Sequence, residues 1–531
     1  MENTDSKIEQ PGKNKSGTGN KPVKRRTILK ALVGIPVLGA FAFQLSEKRN
    51  YDLEKKSRIL RDLELDKIPE PSIPPMTGSK GDLLRIGIIG FGSRAVAHAN
   101  GLGYMHPADA EKRRLNETLE DWLLQEDLGV AITGICDVFD MHAERGMETA
   151  RNSVRAGGAK MTDLPVKRYR TYQEMLDDKD IDAVMIATPD HLHAAITVAA
   201  VKAGKHVYCE KAPCHSEEQM NEVYNTVKNS NIVYQLGHQV PQSVVFQQAK
   251  DIIKKNILGK ITLIETTTNR NTANGAWIRN LDANGNPKPG DEKSIDWDQW
   301  LGPAPKVPFS TDRFYNWTKF FDYDIGLLGQ LFTHEFDAVN QLLNIGIPAS
   351  VVSSGGIYYW KDNREMADLL HCVFEYPDRE LSLLYSASLA SSRSRGRVFM
   401  GHDASMELGN VINITADRDS TRYKEQIKAG FIDTSGPMIS FNPTVGKVDA
   451  VTSATEKYYA ARGLISTSIN GREVDITYLH IREWIDCIRT GKTPSANIEM
   501  AFQEGMTCMM AHKAYVQKRR VEWDPVNKKI V

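Results

Sequence analysis

The chain has 531 residues, too many for one ordinary domain of about 150 residues and enough to bury a sizeable core. Its 41% hydrophobic and 25% charged content is ordinary for a globular protein, and 67 basic side chains balance 67 acidic ones, which argues against a general nucleic-acid binder. Six cysteines without a Cys-x-x-Cys pair exclude a disulfide scaffold and offer no zinc spacing, so no metal is expected.

Residues 2–26 are polar and end in Lys24-Arg25-Arg26. Ala31 to Ser46 is an uncharged run of 16 residues, shorter than the roughly 20 that span a bilayer as a helix. Basic region, short apolar region and the small-residue site Ala40-Phe41-Ala42 together predict a bacterial signal peptide. The paired arginines resemble a twin-arginine signal, which implies export to the periplasm, with the membrane touched only through this segment. Residues 1–43 are therefore assigned to the signal. Residues 44–82, charged and then proline-rich from Ile68 to Pro75, read as a linker or arm.

Leu83 to Gly90 is a short, bounded apolar run, expected to be a buried parallel strand. It leads directly into Gly90-Phe91-Gly92-Ser93-Arg94-Ala95, a G-x-G-x-x-A turn. Gly90 permits the tight turn, Gly92 lets backbone approach a pyrophosphate, and Ala95 lets a helix pack close. Ser93 and Arg94 then open a helix whose N-terminus suits phosphate. Val130 to Asp137 reads as the second strand, ending in an acid that would bond ribose hydroxyls and repel a 2′-phosphate, which favours NAD over NADP. Arg94 complicates that choice, since it could reach a phosphate. Asp137 lies 45 residues after Gly92, where about 20 is usual, so the polar stretch Gly101 to Leu128 reads as an insertion.

The rhythm continues with strands at Ile181–Pro189, His206–Cys209 and Ile232–His238, and a helix opened by Asp190-His191-Leu192-His193. Strand and helix in alternation predict a doubly wound parallel sheet over residues 83–242. Thr188, Pro189, His193, Glu210, Lys211 and His238 all fall at or just beyond strand ends, where such sheets bind ligands. Beyond residue 242, strand-like runs at Ile261–Thr268, Ser350–Tyr358, Leu369–Glu375 and Glu380–Ser386 alternate with long loops, and Tyr478 to Val516 reads as two helices.

The glycine turn, Ala187-Thr188-Pro189 with His193, Glu210-Lys211 with proline one place late, and Ile295 to Pro305 together resemble the glucose-fructose oxidoreductase / inositol dehydrogenase (Gfo/Idh/MocA) family, over roughly residues 83–528. The resemblance implies an α/β protein: an N-terminal Rossmann domain and a C-terminal α/β domain, residues 243–531, with a large, open, mostly antiparallel sheet. It also implies NAD(P)-dependent hydride transfer on a sugar, cyclitol or glycoside hydroxyl. A tightly bound cofactor suits an exported member, because twin-arginine export carries folded proteins. Within the family pattern Lys211 matches the lysine, His334 the histidine and Asp337 the acid three residues on. Gln330 stands where the family has an aspartate, and glutamine cannot accept a proton. Either His334 works without that carboxylate, or Asp322 or Asp324 supplies it. His238, Asn269, Arg270 and Tyr323 are the expected substrate contacts; Trp277 and Trp317 suit sugar stacking. An open sheet commonly packs on another subunit, so a homo-oligomer is expected. Two other readings stay open: a redox-neutral, NAD-dependent glycosidase, and a non-catalytic binding or regulatory protein with the same fold.

Overall fold

Short β-branched segments interleaved with helices give a first, parallel sheet. Its strands are β1 Leu84–Ile89, β2 Val130–Cys136, β3 Lys167–Tyr169, β4 Ala183–Ile186, β5 His206–Cys209 and β6 Tyr234–Leu236. They lie in the order β3-β2-β1-β4-β5-β6, parallel throughout. This computed structural model describes residues 83–159, 163–279, 290–442, 466–469 and 472–531, with short stretches between residues 46 and 81. The expected signal over residues 1–43 lies outside the described residues.

β2 and β4 are buried along their whole length, as parallel strands covered on both faces must be. Strand order reverses between β1 and β4, and that reversal opens a crevice beyond their carboxyl ends. The stretch between helix Ser93–Gly101 and β2 is helical rather than merely polar. Pro107–Leu115 and Leu119–Leu123 pack a satellite core from Met105, Ala110, Leu119, Trp122 and Ala156.

The division at residue 242 is crossed by the chain itself. Helix Ile476–Thr490 buries Leu479, Ile481, Trp484 and Ile485 in the same core as Ile86, Ile88, Ala95 and Ala99 of the parallel sheet layer. Gln235 Nε2 donates to the His480 carbonyl at 2.7 Å, closing β6 onto that helix. The distal end of the expected linker is also more than a tether. Ile73 and Met76 pack on this core, and Asp486 accepts from Thr77 N at 2.9 Å, Thr77 Oγ1 at 2.8 Å and Gly78 N at 2.7 Å.

The second sheet contains β7 Ile261–Asn269, β8 Ser350–Gly356, β9 Leu369–Tyr376, β10 Leu381–Ser388, β11 Gly396–Gly401, β12 Ala404–Leu408, β13 Ile412–Ala416 and β14 Ile439–Phe441. After a hairpin of β15 Ser466–Ile469 and β16 Arg472–Asp475, the final strands β17 Val521–Asp524 and β18 Lys529–Ile530 join its edge. The order is β14-β13-β12-β11-β7-β10-β9-β8-β17-β18, antiparallel except where β7 meets β10. Every second residue of β10 is buried, so one face of the sheet is core. Phe332 stacks on Phe374 of β9 with centroids 4.6 Å apart, and Ser353 Oγ of β8 donates to Ala511 O of the last helix, Ile498–Gln517, at 2.9 Å. These contacts fix the segment carrying Gln330 and His334 between the sheets. All six cysteines are buried and unpaired.

Candidate active site

The crevice opens into a cavity of about 2760 Å³, well above the few hundred to about 1,000 Å³ of a single small-molecule site. Gly90 turns with φ +82°, and a Cβ there would lie 2.9 Å from the Ala187 carbonyl. A Cβ on Gly92 would meet no atom within 4 Å, so the turn faces open cleft. No side chain caps the helix that begins at Ser93. Its first turn lines the cavity through Ser93 and Arg94, and uncapped N–H groups with a positive dipole end suit a pyrophosphate. Asp137 closes β2 and also lines the cavity. Its carboxylate accepts the Phe91 N–H of the glycine turn and, at 2.8 Å, the N–H of Phe139. An open approach, an uncapped helix start and a strand-end acid fit a dinucleotide.

Glu210 also lines the cavity; it accepts from Arg94 Nε at 2.7 Å, and His98 Nε2 lies 2.8 Å from the same oxygen. Burial works against the Glu210 carboxylate, but Arg94 and His98 hold it well below the usual carboxylate range. Arg94 thus spends its Nε on Glu210. Thr188 and Pro189 line the cavity as expected, whereas His193 does not. Its ring nitrogens lie 2.7 Å from Ala212 O and 2.8 Å from Thr188 O, tying the two strand-end loops together.

Lys211, just past β5, reaches the cavity and meets Gln330 across it. Its Nζ donates to Gln330 Oε1 at 3.0 Å and to Gly329 O at 3.4 Å. Gln330 lies in a π-helical turn, Leu328–Phe332, a local widening often found at functional sites. Its Nε2 donates to Asp190 Oδ2 at 3.0 Å and to Asp324 Oδ1 at 3.2 Å. Both carboxyls are pushed up, Asp324 strongly: burial comes first, and for Asp324 the neighbouring Asp190 adds to it. Of the two acids weighed as replacements for the family aspartate, Asp324 is the one at Gln330; Asp322 pairs with Arg313 at 3.0 Å.

His334 follows one turn later, in helix Thr333–Leu343, and lines the cavity. Burial first, then the nearby His238 and Lys211 cations, push its pKa well below the ordinary value, so it stands as a neutral imidazole. His238 packs edge-on against it, with centroids 5.1 Å apart at 85°. His238 does not reach the cavity. Its Nε2 lies 2.7 Å from Glu504 Oε2, both side chains being buried. Burial disfavours the His238 imidazolium, but Glu504 and Asp337 outweigh it and raise its pKa. Burial raises Glu504 to about 7.

Three expected contacts stand elsewhere. Asp337, read as catalytic, is turned away from the cavity; it accepts from Gln341 Nε2 at 2.9 Å and faces His238. Asn269, read as a substrate contact, ties strand ends: its Nδ2 donates to Arg393 O at 2.6 Å and its Oδ1 accepts from Ser388 N at 2.9 Å. Tyr323 is buried against Trp300, with centroids 4.7 Å apart, and its hydroxyl accepts from Arg313 Nη1 at 3.0 Å. Arg270 does line the cavity, its guanidinium 4.9 Å from the Trp277 ring centre, and Trp277, Tyr315 and Trp317 line it too. The sequence reading missed Glu504. An acid inside the run Met500 to Ala511, with no other charged residue there, was the available signal.

A glycine turn at a strand-order reversal shares one cavity with a lysine and a neutral histidine, and the turn is that of a dinucleotide-binding Rossmann fold. The chain belongs to the Gfo/Idh/MocA family: the model of this oxidoreductase family's NAD-binding Rossmann fold matches residues 84–238, and that of its C-terminal α/β domain residues 243–352. A levoglucosan dehydrogenase of Pseudarthrobacter phenanthrenivorans is 32% identical over 198 residues, 35% of this chain and 41% of that one. An inositol 2-dehydrogenase of Salmonella typhimurium is 25% identical over 182 residues, 34% of this chain and 44% of that one. The chain thus aligns with under half the length of these curated relatives. The solved structure of a levoglucosan dehydrogenase in complex with NADH and levoglucosan shares the fold, with a TM-score of 0.56 at 16% identity over 83% of this chain and 99% of that one.

Proposed function

We propose that this protein moves a hydride between NAD and a secondary hydroxyl of a sugar, cyclitol or glycoside. One observation carries the reading: Lys211 and His334 line the same cavity as the Gly90–Arg94 turn. Removing hydride from a carbinol leaves an electron-poor carbon unless the hydroxyl proton leaves too. A neutral His334 is the group suited to accept that proton. Lys211, oriented by Gln330, donates hydrogen bonds to the same oxygen and stabilises negative charge developing there. NAD, when bound at the glycine turn, supplies the hydride acceptor. Arg270 offers donors to further hydroxyls, and the rings of Trp277, Tyr315 and Trp317 suit the apolar faces of a pyranose. The reading includes a periplasmic location and a cofactor that is retained rather than exchanged. It also includes self-association through the second sheet, where the outward positions of β9 and β10 are half-buried or exposed.

Mass spectrometry of the protein as purified tests the cofactor, with bound NAD(H) expected. A panel of sugars and cyclitols, read by nicotinamide absorbance, then tests the reaction. Nitrophenyl glycosides without added NAD complete the set: release of nitrophenol with no net NADH would replace this reading by a redox-neutral glycosidase. Protein that neither carries nor binds NAD(H) would end both.

A further inference from the structure

Lys211 has several titratable neighbours. His334 and Glu504 act on it from the C-terminal helices, while Glu210 beside it is committed to Arg94 and His98. Asp190 comes from the start of helix Asp190–Lys202 and Asp324 from the loop before the π-helical turn. Both carboxyls are buried and converge on one amide, and two like charges that close disfavour each other, so one of the two favours keeping its proton. Both lie within 3.2 Å of the single amide nitrogen of Gln330, whose oxygen holds Lys211 Nζ at 3.0 Å. The amide is thereby oriented: its donor end is fixed by anionic oxygen, and its acceptor end has one direction left. The remaining neighbours of the pair, His193 and His215, are held by backbone carbonyls, His193 by Ala212 and Thr188 and His215 by that of Phe321 at 2.6 Å.

We propose that Asp190 and Asp324 share one proton and, through the Gln330 amide, form the counter-charge that holds the Lys211 ammonium aimed into the cleft. They are positioning residues, replacing from two separate elements the single acid that the family pattern puts at position 330. One negative charge is spread over two carboxyls, so either acid alone suffices for charge balance. Losing both does not.

This deepens the proposed function, which assigns Lys211 its role, but the test needs no turnover. Lys211 lines an open cavity, so its rate of acetylation by acetic anhydride can be followed by peptide mass spectrometry as pH rises. Only the neutral amine reacts. In Asp190→Asn and in Asp324→Asn the labelling curve should stay near that of the wild type. In the double variant it should move to lower pH by on the order of one unit, about tenfold faster labelling at a fixed pH. NADH binding serves as the control for the fold. Superimposable curves for wild type and double variant, or single variants that move as far as the double, would overturn the proposal. If the double variant does not fold, Gln330→Met removes only the bridge. Labelling about threefold faster is expected there, and an unchanged rate would overturn the proposal equally. Failure of every sugar in the panel would leave this result intact and count against the hydride-transfer reading alone.

Discussion

The two groups that meet in the cavity are backed by opposite kinds of surroundings. Behind Lys211 stand a neutral amide and a buried carboxyl pair. Behind His334 stands His238, whose protonated form is favoured by Glu504 and Asp337. One reactive group is accompanied by negative charge at one remove, the other by positive charge. The same interior therefore supports a cation and a neutral base a short way apart, the separation of protonation states that acid–base chemistry near neutral pH requires. Neither histidine nor lysine achieves this from its own helix or strand. Each is backed by residues delivered from another part of the chain: the Asp190 and Asp324 pair for one, Glu504 for the other.

Removing either front residue is the harshest way to break this comparison. Lys211→Ala and His334→Ala should each lower kcat/KM by about 10² to 10⁴-fold, measured on whichever sugar of the panel turns over. NADH affinity, read by fluorescence titration, should change by no more than a few fold, because neither side chain belongs to the glycine turn. The double variant should lose less than the product of the two, since both act on one oxygen. Full additivity would mean that they act at different places.

The second region is broken from behind. Glu504→Gln leaves His238 buried without its carboxylate partner and should cost about 3 kcal/mol of stability, seen as a lowered melting temperature. Its pH dependence sharpens the contrast. Glu504, raised from 4.5 to about 7 in the folded chain, keeps its proton longer folded than unfolded. Its contribution to stability is greatest below about 4.5 and falls as pH climbs through about 7. His238, also raised, contributes stability that is full below its ordinary unfolded value and lost as pH climbs past it. Both slopes run the same way, so melting temperature should fall from slightly acid to alkaline pH in the wild type and fall less steeply in Glu504→Gln. Parallel curves for the two proteins would remove this pair from the account. The opposite slope, below about 6.5, belongs to His191 and His480, which burial holds at about 4 and about 3 and which charge more readily on unfolding.

How much of this was readable in the residues themselves differs sharply between regions. Strands β1, β2, β4 and β5 announced themselves, because parallel strands buried on both faces are short apolar runs with hard stops such as Gly90 and Pro189. Strand β3, Lys-Arg-Tyr, carries no such run and was missed. So were β11 to β14, where half the residues face outward and the alternation is brief. The glycine turn was legible because its chemistry is local. Lys211 and His334 were legible through the family pattern. The partners behind them were not, because Asp190 reads as an ordinary helix start, and nothing near Glu504 in the chain points to His238, 266 residues earlier. Asp337 was misplaced for a related reason: three residues past His334 it shares roughly the same side of the helix, yet the cavity takes only the first of them.

Tyr323 offers the mildest test of where that cavity ends. The sequence reading counts it among the substrate contacts. In the folded chain its ring fills the cluster with Trp300 and His191, and its hydroxyl is engaged by Arg313. Tyr323→Phe keeps the ring and deletes one hydrogen bond, so it should cost about 1 kcal/mol of stability. Arg313 retains Asp322 at 3.0 Å, which limits the loss to that one bond. KM for the sugar should stay within about twofold of the wild type, since the removed oxygen touches protein rather than cleft. A tenfold rise in KM with an unchanged melting temperature would move Tyr323 back to the substrate and redraw this wall of the site.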